Sequence, residues 1–221
     1  MRLLSAIVPL GPDEPPPLEL LSTVGSRSHV EVIVSATDAG PRDLPEGISW
    51  LADTAGRGRQ LNRGARNARG EWLWFVHADS RFEADTVAAI LRFVRHGEPA
   101  IGYCDLRYLA DGPAATRLNA IGANLRSRLL GLPYGDQGLC VPSDWFGRLN
   151  GFREDLERGE DLDFVVRARQ AGLPARPVGA PIHTSARRYR VQGWLTTTWR
   201  HQVGAWRLIR DARRSARSKP A

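Results

Sequence analysis

Glu71–Ser80 reads EWLWFVHADS. Six residues rich in aromatic and β-branched side chains, Glu71–Val76, are followed at once by His77, Ala78 and Asp79. So short an apolar run, closed by turn-forming residues, predicts a buried strand rather than a helix. In an open parallel sheet, ligands bind just beyond the carboxyl ends of the strands. An Asp placed there suits a hard divalent cation bridged to a diphosphate. From spacing alone, a turn or helix-capping Asp ahead of Glu83 explains Asp79 equally well.

Outward from this stretch, strand and helix signals alternate. Leu3–Leu10 and Val30–Ser35 read as buried strands, with a short helix over Leu18–Val24 between them, and Ile48–Ala52 as a third strand. Gly58–Ala68 reads as a helix before the central strand, and Glu83–His96 as one after it, with Val87, Ile90, Leu91 and Val94 at helical spacing. Ile101–Leu109 reads as a strand. This alternation predicts an α/β fold, a mostly parallel sheet joined by crossover helices. Further on, Ala114–Leu130 sets Leu118, Ile121, Leu125 and Leu129 on one helical stripe. Gly138–Val141 is a short strand, and Ser143 is placed to cap a short helix ending near Gly151. Glu160–Ala171 is a helix stopped by Gly172 and Pro174, and Ala175–Ile182 a strand.

The chain has 221 residues, enough for one domain with a full core and no staples. No apolar run reaches the length of a membrane span, and the first residues do not read as a secretory signal. Cys104 and Cys140 are too few for a disulfide framework and read as buried free thiols of a reducing cytoplasm. The net charge of +7 favours an anionic partner. That excess is uneven: from Arg187 to Ala221 there are ten basic residues and one acid, Asp211, while the rest of the chain is nearly neutral. The expected organisation is a main domain over 1–190 and a basic, Trp- and Arg-rich helical extension over 191–221.

Three further segments carry chemistry-bearing residues. Gly56–Gly70 (GRGRQLNRGARNARG) puts Gly and Arg at a helix start, a way to cradle phosphate, or simply a solvated basic helix. Arg158–Asp163 (RGEDLD) places three carboxylates in a first helical turn, where the macrodipole alone explains them and a general base is the functional alternative. His183–Arg188 (HTSARR) follows a strand; its His is a possible metal ligand and its Arg pair a possible neutraliser of a leaving diphosphate.

Taken in order, these segments resemble the family 2 glycosyltransferases, which have the GT-A fold. SAIVPL is similar to that family's first strand, EVIVSATDAG to its second strand and nucleotide-contacting loop, and NRGARNARGEWLWFVHADS to its helix and metal-binding Asp-x-Asp strand end. GDQGLCVPSDWFGRLNGFRE looks like the acceptor-side segment and GEDLDFVVRARQAG like the Glu-Asp base helix. The resemblance, to small bacterial members above all, covers about residues 3 to 190. It implies a GT-A-like, Rossmann-like single domain that transfers a sugar from a nucleoside-diphosphate sugar to an acceptor hydroxyl, inverting the anomeric centre with a divalent metal, Mn²⁺ or Mg²⁺. It further implies Asp161 as the base with Glu160 beside it, and Asp79 and His183 as metal ligands. Nucleotide-sugar contacts would come from Asp38, Arg57, Arg59, Asn62, Arg187 and Arg188. The sequence departs from the family pattern where His77 replaces the first Asp of Asp-x-Asp and where Ala36-Thr37-Asp38 carries a single acid.

A sugar-phosphate nucleotidylyltransferase is the competing enzyme. It needs a Gly-rich basic loop after the first strand, where this chain has Gly11-Pro12-Asp13-Glu14-Pro15. A nucleic-acid-binding module would explain the charge but has no recognisable motif here, and no nucleic-acid partner is expected. Gln192–Arg214 mixes Trp194, Trp199, Trp206 and aliphatic residues with Arg, a composition suited to the surface of a membrane or to a lipid-linked acceptor. The expected location is the cytoplasm, at the inner face of the membrane.

Overall fold

Three strands form the middle of the sheet: Leu4–Leu10 (β1), Val30–Ala36 (β2) and Trp72–Phe75 (β4). They are buried almost residue by residue, because layers of helices cover both of their faces. The computed structural model describes residues 3–12, 14–41, 44–45, 47–199, 203–204 and 209–210. Ile48–Ala52 (β3), Ile101–Tyr108 (β5), Cys140–Pro142 (β6) and Ala175–Thr184 (β7) complete a seven-stranded sheet of order β3-β2-β1-β4-β6-β5-β7. Every pairing is parallel except those of β6, which runs against both β4 and β5. The α/β class expected from the alternation of elements, and the GT-A-like class that the resemblance implies, are the observed ones.

The strand pleat sorts the core into two layers. Trp72, Trp74 and Val76 face the layer of Leu18–Gly25 (α1) and Ala84–His96 (α3). Leu73 and Phe75 face the opposite layer, built on Arg57–Asn67 (α2), Ser143–Arg148 (α5) and Glu160–Gln170 (α6). In that second layer Phe75, Phe146, Phe152 and Phe164 form a ring cluster with centroids 4.8–5.3 Å apart. Each such pair contributes about 0.5–1.5 kcal/mol beyond its buried area. Cys104 and Cys140 are free and buried. Burial pushes the Cys104 thiol up to about 12 and holds Cys140 well above the usual thiol range, so both stay protonated and unreactive.

Three elements differ from the sequence reading. Ser143 is the first residue of α5 and not its cap, because its amide is donated to Glu71 O (2.8 Å) and prolongs the sheet ladder. β7 runs two residues past Ile182, since Ile182–Thr184 still pair with Leu106–Tyr108. Thr116–Leu130 (α4) turns its leucine stripe outward: Leu118, Ile121, Leu125 and Leu129 are exposed, while Thr116, Ala120, Ala123 and Ser127 are buried. The reason lies in β5, which meets the short β6 only at Gly102↔Cys140. Farther along β5, Asn124 takes the place of a neighbouring strand. Its Oδ1 accepts the Leu106 amide (2.8 Å) and its Nδ2 donates to Leu106 O (3.0 Å). A helix that serves a strand edge presents small and polar residues inward, which leaves its large aliphatic residues outside. Arg187–Gln192 (α7) follows β7, so the boundary expected at residue 190 falls within a helix. Of the expected tail residues, Trp206 and Leu208 lie outside the described residues.

Candidate functional site

Arg57 is the hub. As the first residue of α2 it is carried past Gly56, whose φ of 134° a side chain rarely tolerates. Its Nε pairs with the buried Glu160 at 2.9 Å, and its Nη2 donates to His77 Nε2. One guanidinium therefore joins the start of α2, the end of β4 and the start of α6. Since Arg only donates, His77 must carry its own proton on Nδ1. Burial, then Arg57 and Arg188, holds the His77 ring well below the usual imidazole range, so it is neutral.

The 3₁₀ turn Gly135–Gln137, just before β6, closes the other side of the cleft. The Gly135 amide donates to Asp161 Oδ2. A methyl group built on Gly135 would stand 2.7 Å from Asp161 Oδ2 and 3.1 Å from His77 Nε2, so only glycine lets the turn approach this closely. The turn is held from behind by the fully buried Gln137. Its Oε1 accepts from Ser127 Oγ (2.7 Å) and the Tyr134 amide (3.2 Å), and its Nε2 donates to Cys104 O (3.1 Å). Arg126 stacks on the Tyr134 ring, 3.4 Å from its centroid.

Between these groups sits Asp136. The residue as a whole is half-buried, yet its Oδ1 is shut off from solvent and makes no hydrogen bond. Burial pushes its carboxyl up to about 6, against the pull of Arg126; Asp161 and Asp79 add to the rise, and Arg57 opposes it. Burial likewise raises Asp79 despite Arg57 and Arg188, and it raises Glu160, with Asp161 adding repulsion. Four carboxylates thus share a partly dry cleft with Arg57 and Arg188. Such a site is short of positive charge and lined with acceptors that want protons or cations.

The remaining expected residues are placed as follows. Arg188 acts electrostatically on His77 and Asp79, whereas Arg187 is turned toward Ser185 Oγ (2.9 Å) and Asp111. Arg59 lies outside the cluster, paired with Glu154 at 3.5 Å. Asn62 is buried and fully occupied: it donates to Phe152 O (2.8 Å) and Glu154 Oε1 (3.0 Å) and accepts the Phe152 amide (2.9 Å). It clips the loop ahead of α6, and both of its N–H donors are spent there. Asp38 is exposed beyond β2, with its carboxylate on Thr37 Oγ1 (3.0 Å). Nearby, Arg63 ties the ends of β2 and β3 together through Ala36 O (2.8 Å), Ser35 Oγ (3.1 Å) and Asp53 (3.1 Å). α2 is therefore no solvated basic helix; its polar residues Gln60, Asn62 and Arg63 are buried against strand ends. His183 exchanges both backbone hydrogen bonds with Arg81 (2.8 Å each). His183 also lines a cavity with Thr86, Ala89, Arg92 and Arg107, and Asp79 does not line it. Asp136 was missed in the sequence because GDQG reads as an acceptor-side segment. The signal available was an acid between two glycines directly ahead of a buried strand.

Among the described residues no group of three or more His, Cys, Asp or Glu is arranged to hold a metal. His77 is engaged by Arg57, and His183 is among the residues that line the other cavity. Mg²⁺, however, is ordinarily bound by one or two carboxylates plus substrate phosphates, without an all-protein cage. The desolvated Asp79 fits that mode.

The profile of glycosyl transferase family 2 matches residues 50–166, more than half of the chain. The chain belongs to this family. The matched segment of this family 2 member contains Arg57, His77, Asp79, Asp136, Glu160 and Asp161. A comparison with curated proteins finds no match. Solved structures share the fold. The crystal structure of S. aureus TarS is 17% identical, with a TM-score of 0.61 over 83% of this chain and 37% of that one. TarS 1–349 in complex with UDP-GlcNAc is 18% identical, with a TM-score of 0.62 over 84% and 59%. TarS 1–349 in complex with UDP is 17% identical, with a TM-score of 0.63 over 83% and 60%. The chain thus spans between 37% and 60% of these structures' own lengths.

Proposed function

We propose that the protein transfers a sugar from a nucleoside-diphosphate sugar to an acceptor hydroxyl, inverting the anomeric centre. The observation that carries this reading is the cleft in which Arg57, Asp79, Asp136, Glu160 and Asp161, all inside the segment that matches the family, meet Arg188 from beyond it.

In this reading the acceptor oxygen attacks the anomeric carbon while the bond from that carbon to the diphosphate breaks, its electron pair leaving with the phosphate oxygen. Asp161 takes the acceptor proton. The Gly135 amide on its Oδ2 fixes the carboxylate and leaves the other oxygen for that proton. Glu160 fixes Arg57 through their 2.9 Å pair, and Arg57 and Arg188 meet the charge that develops on the leaving diphosphate. Asp136 accepts a hydroxyl of the donor sugar on Oδ2, the carboxylate oxygen that is not shut off from solvent. A divalent ion on Asp79, when bound, would supply further neutralisation of the diphosphate. The similar TarS structure that holds UDP-GlcNAc makes UDP-sugars the first donors to try. A lipid-linked acceptor at the cytoplasmic face of a membrane belongs to the same proposal and is supported by the basic end of the chain.

The test is nucleoside diphosphate release from UDP-, GDP- and TDP-sugars with Mg²⁺ or Mn²⁺, with the product's anomeric configuration read by NMR. Asp161→Asn is expected to slow transfer by about 100- to 10,000-fold with nucleotide affinity nearly unchanged. Transfer at the wild-type rate by that variant sinks the base assignment.

A further inference from the structure

α4 carries its apolar face outside. Leu118, Ile121, Leu125 and Leu129 are 63%, 62%, 54% and 72% exposed, and Leu130 beside them 59%. These five residues lie on consecutive turns of one helix, so they form a continuous stripe. The stripe is not alone. Trp194 Nε1 donates to Asn119 Oδ1 (2.8 Å) and Asn119 Nδ2 to Thr198 Oγ1 (2.9 Å), which fastens the segment after α7 along α4. That segment adds Leu195 and Trp199, both 73% exposed, and Val191 precedes it in α7. Contiguous apolar surface of this size on two adjoining segments marks a contact surface.

Charge decides the partner. α4 has Arg117, Arg126 and Arg128 and no acidic residue; Arg128 pairs with Asp105 (2.8 Å) and Arg126 lies over the Tyr134 ring. The chain from Arg187 onward has ten basic residues against one acid. A second copy seated on this face would find no acidic residue in α4 or α7 to pair with Arg117 or the Arg residues of α7. An anionic surface would be attracted, and Trp beside Leu, Ile and Arg is the composition of segments that lie in the headgroup region of a bilayer. Among the described residues no helix is long and apolar enough to cross a membrane, which leaves surface contact.

We infer that the outward stripe of α4 and the adjoining segment through Trp199 form one docking face for an anionic lipid bilayer. The inner face of α4 holds Gln137 through Ser127, and so supports the turn that carries Asp136. Docking by the outer face would therefore bring the cleft to the membrane on a rigid element. This inference deepens the proposed lipid-side acceptor, but its test reads vesicle binding and not transfer, so either can fail alone.

The test uses full-length protein with phosphatidylcholine vesicles, with and without 30% phosphatidylglycerol (about that fraction gives a strongly negative surface). The wild type is expected to co-sediment with the anionic vesicles only, and less so as NaCl is raised. Ile121→Asp/Leu125→Asp is expected to weaken that binding by at least about tenfold, with an unchanged melting temperature and unchanged donor-sugar hydrolysis in the absence of vesicles. Ile121→Ser/Leu125→Ser is the milder companion, expected to weaken it by a smaller factor. Equal pelleting of wild type and both variants overturns the inference. So does a wild-type dimer in sedimentation velocity that the variants dissociate without any vesicle binding. A large fall in melting temperature in both variants also overturns it, because the chain itself would then cover the stripe.

Discussion

Asp136 Oδ1 is a buried acceptor with nothing to accept. A lone buried carboxylate is held by the fold at a cost, and that cost has a pH signature. The Asp136 carboxyl is pushed up to about 6 by burial first of all, above its unfolded value near 3.9. The folded chain therefore binds the proton more tightly, and the stability this contributes is present below the unfolded value and lost as pH rises through about 6. Asp136→Asn should then unfold at higher denaturant than the wild type at pH 7.5, by about 1–3 kcal/mol, with the gain fading below pH 4. The same variant is expected to lose about 10- to 100-fold in transfer rate, because the amide offers a buried sugar hydroxyl a poorer acceptor than the carboxylate. Stability gained together with activity lost marks a residue kept for function; a variant that loses stability at pH 7.5 contradicts the account. Arg57 makes the converse case. Arg57→Ala removes the common partner of Glu160 and His77 and should weaken nucleoside diphosphate binding by about 10- to 100-fold in calorimetry. Arg57→Lys should recover little, since one ammonium cannot reproduce a planar fork that reaches both residues.

At the scale of elements, α2 and α4 explain why a segment's composition misleads. α2 looks like a solvated basic helix, yet Gly64 faces Ile7 so closely that a Cβ added there would strike Ile7 Cγ2. Gly58 meets Arg153 O in the same way, at 2.7 Å. Helix propensity alone says Gly64→Ala should stabilise by about 1 kcal/mol. Packing against β1 says it should destabilise by about 1–3 kcal/mol. Packing is expected to win, and a measured increase in unfolding free energy would contradict so close an approach of α2 to β1. The Asn62 clip shows the same dependence on distant partners: its hydrogen bonds reach residues 90 and 92 positions away, and no window around Asn62 contains them. α4 inverts the usual reading because its inner neighbour is the bare edge of β5 and not an apolar layer.

For the whole molecule, the cleft is assembled from the end of β4, the start of α2, the turn before β6 and the start of α6, with α7 at its rim. A ligand that binds there bridges elements spread over most of the sequence and should stabilise the fold as one unit. At a hundredfold excess over its dissociation constant, a nucleoside diphosphate with Mg²⁺ should add about 2.7 kcal/mol of unfolding free energy, read as a rise in melting temperature. Asp79→Asn should lose the part of that rise that depends on Mg²⁺ while keeping the part seen with nucleotide in EDTA. A rise equal in both proteins with Mg²⁺ would remove Asp79 as the ion's holder.

What the sequence determined by itself was everything governed by short spacing. Buried strands, crossover helices and the order of the Gly-Arg, Asp and Glu-Asp segments follow from periods of two and 3.6 residues and from turn chemistry. From these came the sheet class and nearly all the elements, while the family resemblance rests on the residues of the motif segments themselves. Only the tertiary structure decided which of the singled-out residues share one cleft. It placed Arg57, Arg188, Asp79, Glu160 and Asp161 together, added Asp136, spent the donors of Asn62 on a loop and set His183 among the residues that line another cavity. It also decided which side of α4 faces out. The physical reason is that burial, desolvation and the pairing of a buried polar group depend on atoms brought close by the sheet from far along the chain. Local pattern reports what a segment is able to form, and packing reports what that segment finds there.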